Sequence, residues 1–241
     1  MPDLSLASFN THYGVRPSRR ATDRGYDMDA AIASLEADVV VVQELWRPDG
    51  RRGAVDAAAA SLGYDLIYER TSAATLGTHW PHLVPSGEGE SGIAVLSRLP
   101  VRRIRSLTLG PTWGDPAPVR TALDVEVDVG RARFRLIAVH LTSRLPHGPV
   151  LQLRRLARLL PPAGTPAVIA GDCNFWGPGV VGLLDGWRRT VRGRTWPARL
   201  PHSQIDHILV RRGDGIRASG GRVLPCVGSD HLPVRVELSL A

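Results

Sequence analysis

The sequence predicts an α/β protein built on two packed sheets with helices outside them. Three observations carry this expectation. Strand-like apolar runs recur along the whole chain, few helical stretches interleave with them, and the segments between are long and rich in Pro and Gly.

Taken in order, Leu4-Ser5-Leu6-Ala7-Ser8-Phe9 alternates apolar and small polar residues, the period of a strand with one face buried. Met28, Ile32 and Leu35 fall on one face of a helix that precedes Val39-Val40-Val41-Val42, a continuous run suited to a fully buried strand. Ala54 to Leu62 is rich in Ala, the best helix former, and reads as a second helix. Gly92 to Leu96 and Phe134 to Val139 read as further strands. Leu153, Leu156 and Leu160 share one helical face while Arg154, Arg155 and Arg158 point elsewhere, so that Arg run is most simply a solvated face. Ala167 to Ala170, Ile205 to Val210 and the alternating Val234 to Leu238 complete the set. Thr71 to Gly89 and Gly110 to Val119 are the longest irregular stretches. Long loops in compact domains are often functional, so both are expected at the rim of a cleft. No repeat or linker marks a boundary, and residues 1–241 are expected to form one domain.

Bulk composition narrows the function classes. With 43% hydrophobic residues in 241, the chain can bury a full core, and no apolar run approaches the ~18 residues needed to cross a bilayer. Met1 to Leu6 lacks a basic segment followed by an apolar one and reads as the first strand, so the cytoplasm is the expected location. Cys173 and Cys226 make no disulfide framework, and there is no CxxC for zinc or redox work; both read as small reduced residues near strand ends. The net charge of +7 and pI of about 10.5 suit a polyanionic partner such as nucleic acid or an anionic lipid surface. All 30 basic residues are Arg, a skew that follows genome composition more simply than a phosphate code. No protein partner is implied.

Chemistry-bearing residues stand at or just past the ends of these strands. Asn10 follows Phe9, Glu44 follows the Val run, His140 follows Val139, and Gly171-Asp172-Cys173-Asn174 follows Ala170. Asp206 lies in Ile205-Asp206-His207, and Gly228-Ser229-Asp230-His231 is expected to open the last strand. Singly, each is explained as a turn residue or cap. As an ordered set from Asn10 to His231 they resemble the metal-dependent endonuclease/exonuclease/phosphatase family, over nearly the whole chain. The resemblance sharpens the fold to a four-layered α/β sandwich, two packed mixed β-sheets flanked by helices, with the site at one edge.

The resemblance implies hydrolysis of a phosphoester, which needs charge neutralised on the non-bridging oxygens, an activated water and help for the leaving oxygen. Oxygen ligands suit Mg²⁺ or Mn²⁺, and the lack of a Cys/His cluster argues against a dedicated zinc site. By resemblance, Asn10 and Glu44 hold the principal metal with Asp230 completing or supporting its shell. His231 is then the general base or a cation holding the phosphate, and Asp206 orients it. Asp172 and Asn174 position water and phosphate, and His140 donates to a phosphate oxygen. His12 stands where some relatives carry a second acidic ligand. That departure thins the metal shell by one carboxylate and weakens an abasic-endonuclease reading.

Other residues carry two readings. Arg47 and Arg120 suit phosphate contacts or plain surface charge. Trp46, Trp113 and Trp176 are expected in loops beside the motifs, where an indole can stack on a base or an apolar group, whereas Trp187 and Trp196 lean towards the core. His207 is expected to face away from Asp206, because adjacent strand residues alternate. His79, His82, His147 and His202 read as solvated loop residues. The expected activity is therefore a metal-dependent phosphodiesterase or nuclease acting on nucleic acid. A phosphatase or phospholipase C-like enzyme on a small or lipid phosphoester stands as the alternative, and a non-catalytic module of the same fold comes last.

Overall fold

The computed structural model describes residues 3–17, 25–76, 87–115, 119–144 and 147–241. Two six-stranded sheets pack face to face. The first has the order β11 (Ile216–Val223), β12 (Val234–Leu240), β1 (Asp3–Asn10), β2 (Val39–Pro48), β4 (Gly87–Ser97), β3 (Asp65–Leu76). The second has the order β5 (Val101–Gly110), β6 (Arg120–Val129), β7 (Ala132–His140), β8 (Ala167–Asp172), β10 (Asp206–Arg211), β9 (Trp187–Arg189). Both are mixed: β1 runs parallel to β2 and β7 parallel to β8, and the other pairs are antiparallel.

The apolar patterning explains the layers. Every second residue of the central strands, among them Leu6, Val41, Val95, Leu136, Val168 and Val236, points into the space between the sheets and builds the largest core. The other faces of those strands are also apolar, which a half-exposed sheet would not require. Phe9, Val40 and Val42 are covered by α1 (Met28–Ala33) and α2 (Ala54–Ser61) through Met28, Ile32, Val55 and Ala58. Ile137, Val139 and Ile169 are covered by α3 (His147–Leu159) and α4 (Gly177–Leu183) through Leu153, Leu156 and Val180. The result is the expected four-layered sandwich.

Several elements differ from the sequence reading. β3, β5, β6, β9, β11 and α4 are absent from the elements expected from the sequence. β5 leaves Arg102, Arg103 and Arg105 exposed and β11 lies at a sheet edge, so neither carries a strong apolar period. The expected loop from Thr71 to Gly89 is strand at both ends, within β3 and β4, and its remainder, 77–86 with His79 and His82, lies outside the described residues. His147 opens α3 instead of sitting in a loop, and Trp46 is buried within β2. Among the described residues, no helix is long and apolar enough to cross a membrane.

Candidate active site

Strand register assembles the predicted residues. In the second sheet His140 pairs with Asp172 across β7 and β8, and Asp172 pairs with Asp206 across β8 and β10, so the three stand in one row at the strand ends. In the first sheet Asn10 ends β1 beside Gln43 of β2. The two edges meet where Asn10 Nδ2 donates to Asp172 Oδ2 at 3.1 Å.

Local backbone irregularities aim the remaining side chains. Between Val42 and Leu45 the β2–β4 register shifts by one residue, a bulge in which Glu44 adopts φ +50°. The sequence reading placed Glu44 just past the strand; the strand instead continues to Pro48, and the bulge turns Glu44 towards the cluster. Positive φ in a non-glycine residue costs free energy and persists where its surroundings over-determine it. Gly171 explains the first letter of its motif: at φ +145°, a Cβ there would stand 1.9 Å from the Val139 carbonyl oxygen. Asn174, at φ +47°, gives its backbone N–H to Asp172 Oδ1 at 2.8 Å and its Nδ2 to the Leu141 carbonyl at 2.8 Å.

Asp230 and His231 do not open the last strand, as the sequence suggested. They lie in the turn before it, because Pro233 has no N–H to give and the ladder starts at Val234. Ser229 fixes that turn: its Oγ donates to the Asn10 carbonyl at 2.7 Å and accepts from the His231 N–H at 3.1 Å. Trp196 is half-buried, and its Nε1 donates to Asp230 Oδ2 at 3.3 Å, so it belongs with the cluster more than with the core. Sequence reasoning missed Ser229 as an anchor, although it stands inside the quoted Gly-Ser-Asp-His run.

Hydrogen bonds fix where the protons reside. His231 Nδ1 lies 3.1 and 2.9 Å from the two Asp206 oxygens, leaving Nε2 facing Asp172 Oδ2 at 3.8 Å. Burial alone would lower the His231 pKa, but the Asp206 carboxylate, with Asp172 and Asp230 beyond it, raises it to about 10. The Asp172 pKa rises as well: burial first, then the Asp206 charge, raise it to about 7. Arg120 Nη1 lies 3.4 Å from His140 Nδ1, and a guanidinium can only donate, so the ring proton of His140 sits on Nε2. That Nε2 faces Glu44 Oε1 at 3.7 Å and Asp172 Oδ2 at 3.8 Å. Burial, then Arg120, push the His140 pKa well down and keep the ring neutral. Burial raises Glu44, opposed by the charges of His12 and His231.

Other predicted residues fall into place or out of it. Arg120 joins the cluster through His140 while its other nitrogens grip Asp115 at 3.0 and 3.1 Å. Arg47 is paired with Asp56 at 3.0 Å and lies over the Tyr68 ring at 3.7 Å, and with Arg51, Arg52 and Glu90 it lines a depression of about 450 Å³. Trp176 is exposed, two residues after Asn174, and packs on Phe175. Trp46 is buried and unable to reach a ligand. His12 gives its Nδ1 proton to the Val15 carbonyl at 2.8 Å, and its backbone N–H to Asn10 Oδ1 at 3.0 Å.

With the geometry in place, comparison with known proteins gives the class and then the family. A model of the Endonuclease/Exonuclease/phosphatase family matches residues 7–231, and the chain belongs to that family. Its members are usually hydrolases of phosphoesters and generally depend on a divalent metal. The fold is similar to that of an endonuclease/exonuclease/phosphatase from Beutenbergia cavernae (TM-score 0.76, 23% identity, covering 100% of this chain and 72% of that one). It is similar too to the human Nocturnin catalytic domain (TM-score 0.70, 13% identity, 100% and 95% covered) and to a humanized D. rerio TDP2 (TM-score 0.65, 17% identity, 99% and 100% covered). At these identities the likeness is one of fold alone. A comparison with curated proteins finds no significant match in sequence.

His207 faces away from the cluster, as alternation predicts, and its Nε2 meets the Phe175 carbonyl at 3.0 Å. Burial lowers its pKa to about 4, so the folded ring is neutral where the unfolded one, near 6.5, is charged. Below pH 6.5 the unfolded chain binds the extra proton, so stability falls as pH drops from about 6.5 towards about 4, by up to about 3 kcal/mol. His207→Gln should therefore show a smaller loss of stability between neutral and acidic pH than the parent, measured by urea unfolding. An unchanged pH dependence would contradict the assignment.

Proposed function

We propose that this chain is a divalent-metal-dependent phosphodiesterase that acts on nucleic acid, with the Asn10–Asp172 cluster as its catalytic site. The observation that carries the reading is that both sheets contribute to one polar cluster. It joins an Asp206–His231 pair, a buried Asp172 and the Glu44 carboxylate within reach of His140.

The residues fit a hard cation. Glu44, Asp172, Asp206 and Asp230 gather in one place, and burial holds Glu44 and Asp172 above the usual carboxylate range. Crowded buried carboxylates short of positive charge suit an oxygen-liganded ion such as Mg²⁺ or Mn²⁺. Asp172, Asp206 and His231 also bring ligand-type atoms within 4.8 Å of one another, but His231 Nδ1 is already spent on Asp206. Glu44, with Asp230 and Asn10, is therefore the better holder. Asn10 Oδ1 accepts from the His12 N–H, and its second lone pair is the one it would offer an ion. When bound, the ion would neutralise non-bridging oxygens and lower the pKa of the attacking water.

The chain's own groups divide the remaining work. Asp172, with a pKa near neutrality, takes the proton as water attacks phosphorus and the ester P–O bond breaks. His231, charged and held by Asp206, and His140, with its proton on Nε2, present N–H donors to the phosphate oxygens. Arg120 keeps the His140 proton on that nitrogen, and exposed Trp176 offers a stacking face. Arg47, held by Asp56 and Tyr68, is left without a substrate role. Two free cysteines suit a reducing compartment, in keeping with a cytoplasmic setting.

Activity should require added Mg²⁺ or Mn²⁺ and vanish in excess chelator, and Glu44→Gln should raise the metal concentration needed for half-maximal rate. Full turnover in chelator would remove the mechanism. His231→Ala should lower kcat by roughly 10²–10⁴, with Asp206→Asn similar in kind. The double variant should be little worse than the poorer single one, because the pair acts as a unit. Multiplicative losses would show that Asp206 does not serve His231.

A further inference from the structure

Trp113 is 87% exposed, and a lone exposed aromatic is ordinary in itself. What sets this one apart is how its turn is held. Thr112 and Asp115 close the turn with a backbone bond of 3.1 Å, and the residues on either side of Trp113–Gly114 are each anchored by side chains. Thr112 Oγ1 accepts from Gln152 Nε2 at 3.2 Å, and the same buried Gln152 accepts from the Thr142 N–H at 2.8 Å. Asp115 is gripped through both oxygens by Arg120. Arg155 of α3 donates to the carbonyls of Leu109 and Pro111 at 2.7 and 3.2 Å.

Both braces lead to one place. Thr142 stands two residues after His140, and Arg120 touches His140 Nδ1 at 3.4 Å. The turn is thus fixed against the end of β7, beside the proposed phosphate donors, with the indole outside and the polar groups inside. Exposed Arg144 runs alongside: its Cδ lies 3.9 Å from where a Gly114 side chain would begin. A flat aromatic face beside a free-reaching guanidinium matches a nucleotide, which carries a stackable base and a phosphate.

We propose that Trp113 is a stacking platform for an unpaired base near the scissile phosphate, with Arg144 contacting the adjoining backbone phosphate. This rests on the nucleic-acid reading above and gives it a specificity-determining residue: single-stranded substrate, bound by its bases without sequence readout. Because the turn is already ordered by its anchors, little conformational freedom remains to be lost on binding.

The test compares binding, by fluorescence anisotropy in chelator, of a short labelled thymidine oligonucleotide and an abasic oligomer of equal length and charge. The parent should prefer the thymidine strand. Trp113→Ala should lose about 5-fold or more of that preference and leave abasic binding unchanged, while Trp113→Phe retains it. Arg144→Ala should weaken both and reduce the salt slope by about 1. Thermal melts should be unmoved, since Trp113 is exposed. A Trp113→Ala protein that keeps the preference, or loses both oligomers equally, overturns the platform while leaving the nuclease reading standing. A metal-loaded parent that neither binds nor cleaves DNA or RNA overturns both.

Discussion

The hydrogen bond from Asn10 to Asp172 joins residues 162 positions apart and is the point at which the edges of the two sheets meet in one cluster. Its geometry depends on the packing beneath it. The central strands of both sheets bury apolar side chains on both faces, so the chemistry-bearing groups gather where those strands run out. At that edge, register does the sorting: Asp172 stands between His140 and Asp206 in one sheet and reaches Asn10 in the other. Ser229 then ties the chain's last turn to the Asn10 carbonyl, which delivers Asp230 and His231 to the same place.

The electrostatics follow from that convergence. Carboxylates drawn together out of water destabilise one another's charged forms, which is why Asp172 rises to about 7 although Asn174 donates to it. The same crowd of negative charge lifts His231 to about 10 against the effect of burial. Two neighbouring groups are thus displaced in ways that leave a proton acceptor and a cation side by side near neutral pH. Perturbed groups arranged in this way are typical of sites built for chemistry rather than for stability.

Much of this was legible in the sequence, and the pattern of failures is physical. Val39 to Val42 and Ala167 to Ala170 announce buried central strands because both faces are apolar. β5 and β11 do not, because edge strands wet on one side carry Arg, Ser and Gly without a clear period. Asp172, Asn174, Asp206 and His231 were legible as an ordered set, but their proximity was not, since it arises from register between strands far apart in the chain. The bulge at Glu44 left no local mark among four valines. Trp46 misled because its neighbours Glu44 and Arg47 suggested a loop, whereas β2 continues through all three. The pairing of Arg47 with Asp56, nine residues on, was not legible either, because it depends on how α2 packs beside β2.

On the proposed function, this shared edge hydrolyses phosphodiesters. The direct measurement is hydrolysis by the metal-loaded protein of bis-p-nitrophenyl phosphate, p-nitrophenyl phosphate, plasmid and sphingomyelin side by side, with Asp172→Asn as control. The account predicts that the diester is cleaved faster than the monoester, that nucleic acid is cleaved in preference to sphingomyelin, and that the variant is nearly inert on all of them. A folded, metal-loaded protein that hydrolyses none of these, or an Asp172→Asn variant with the parent's rate, would contradict it.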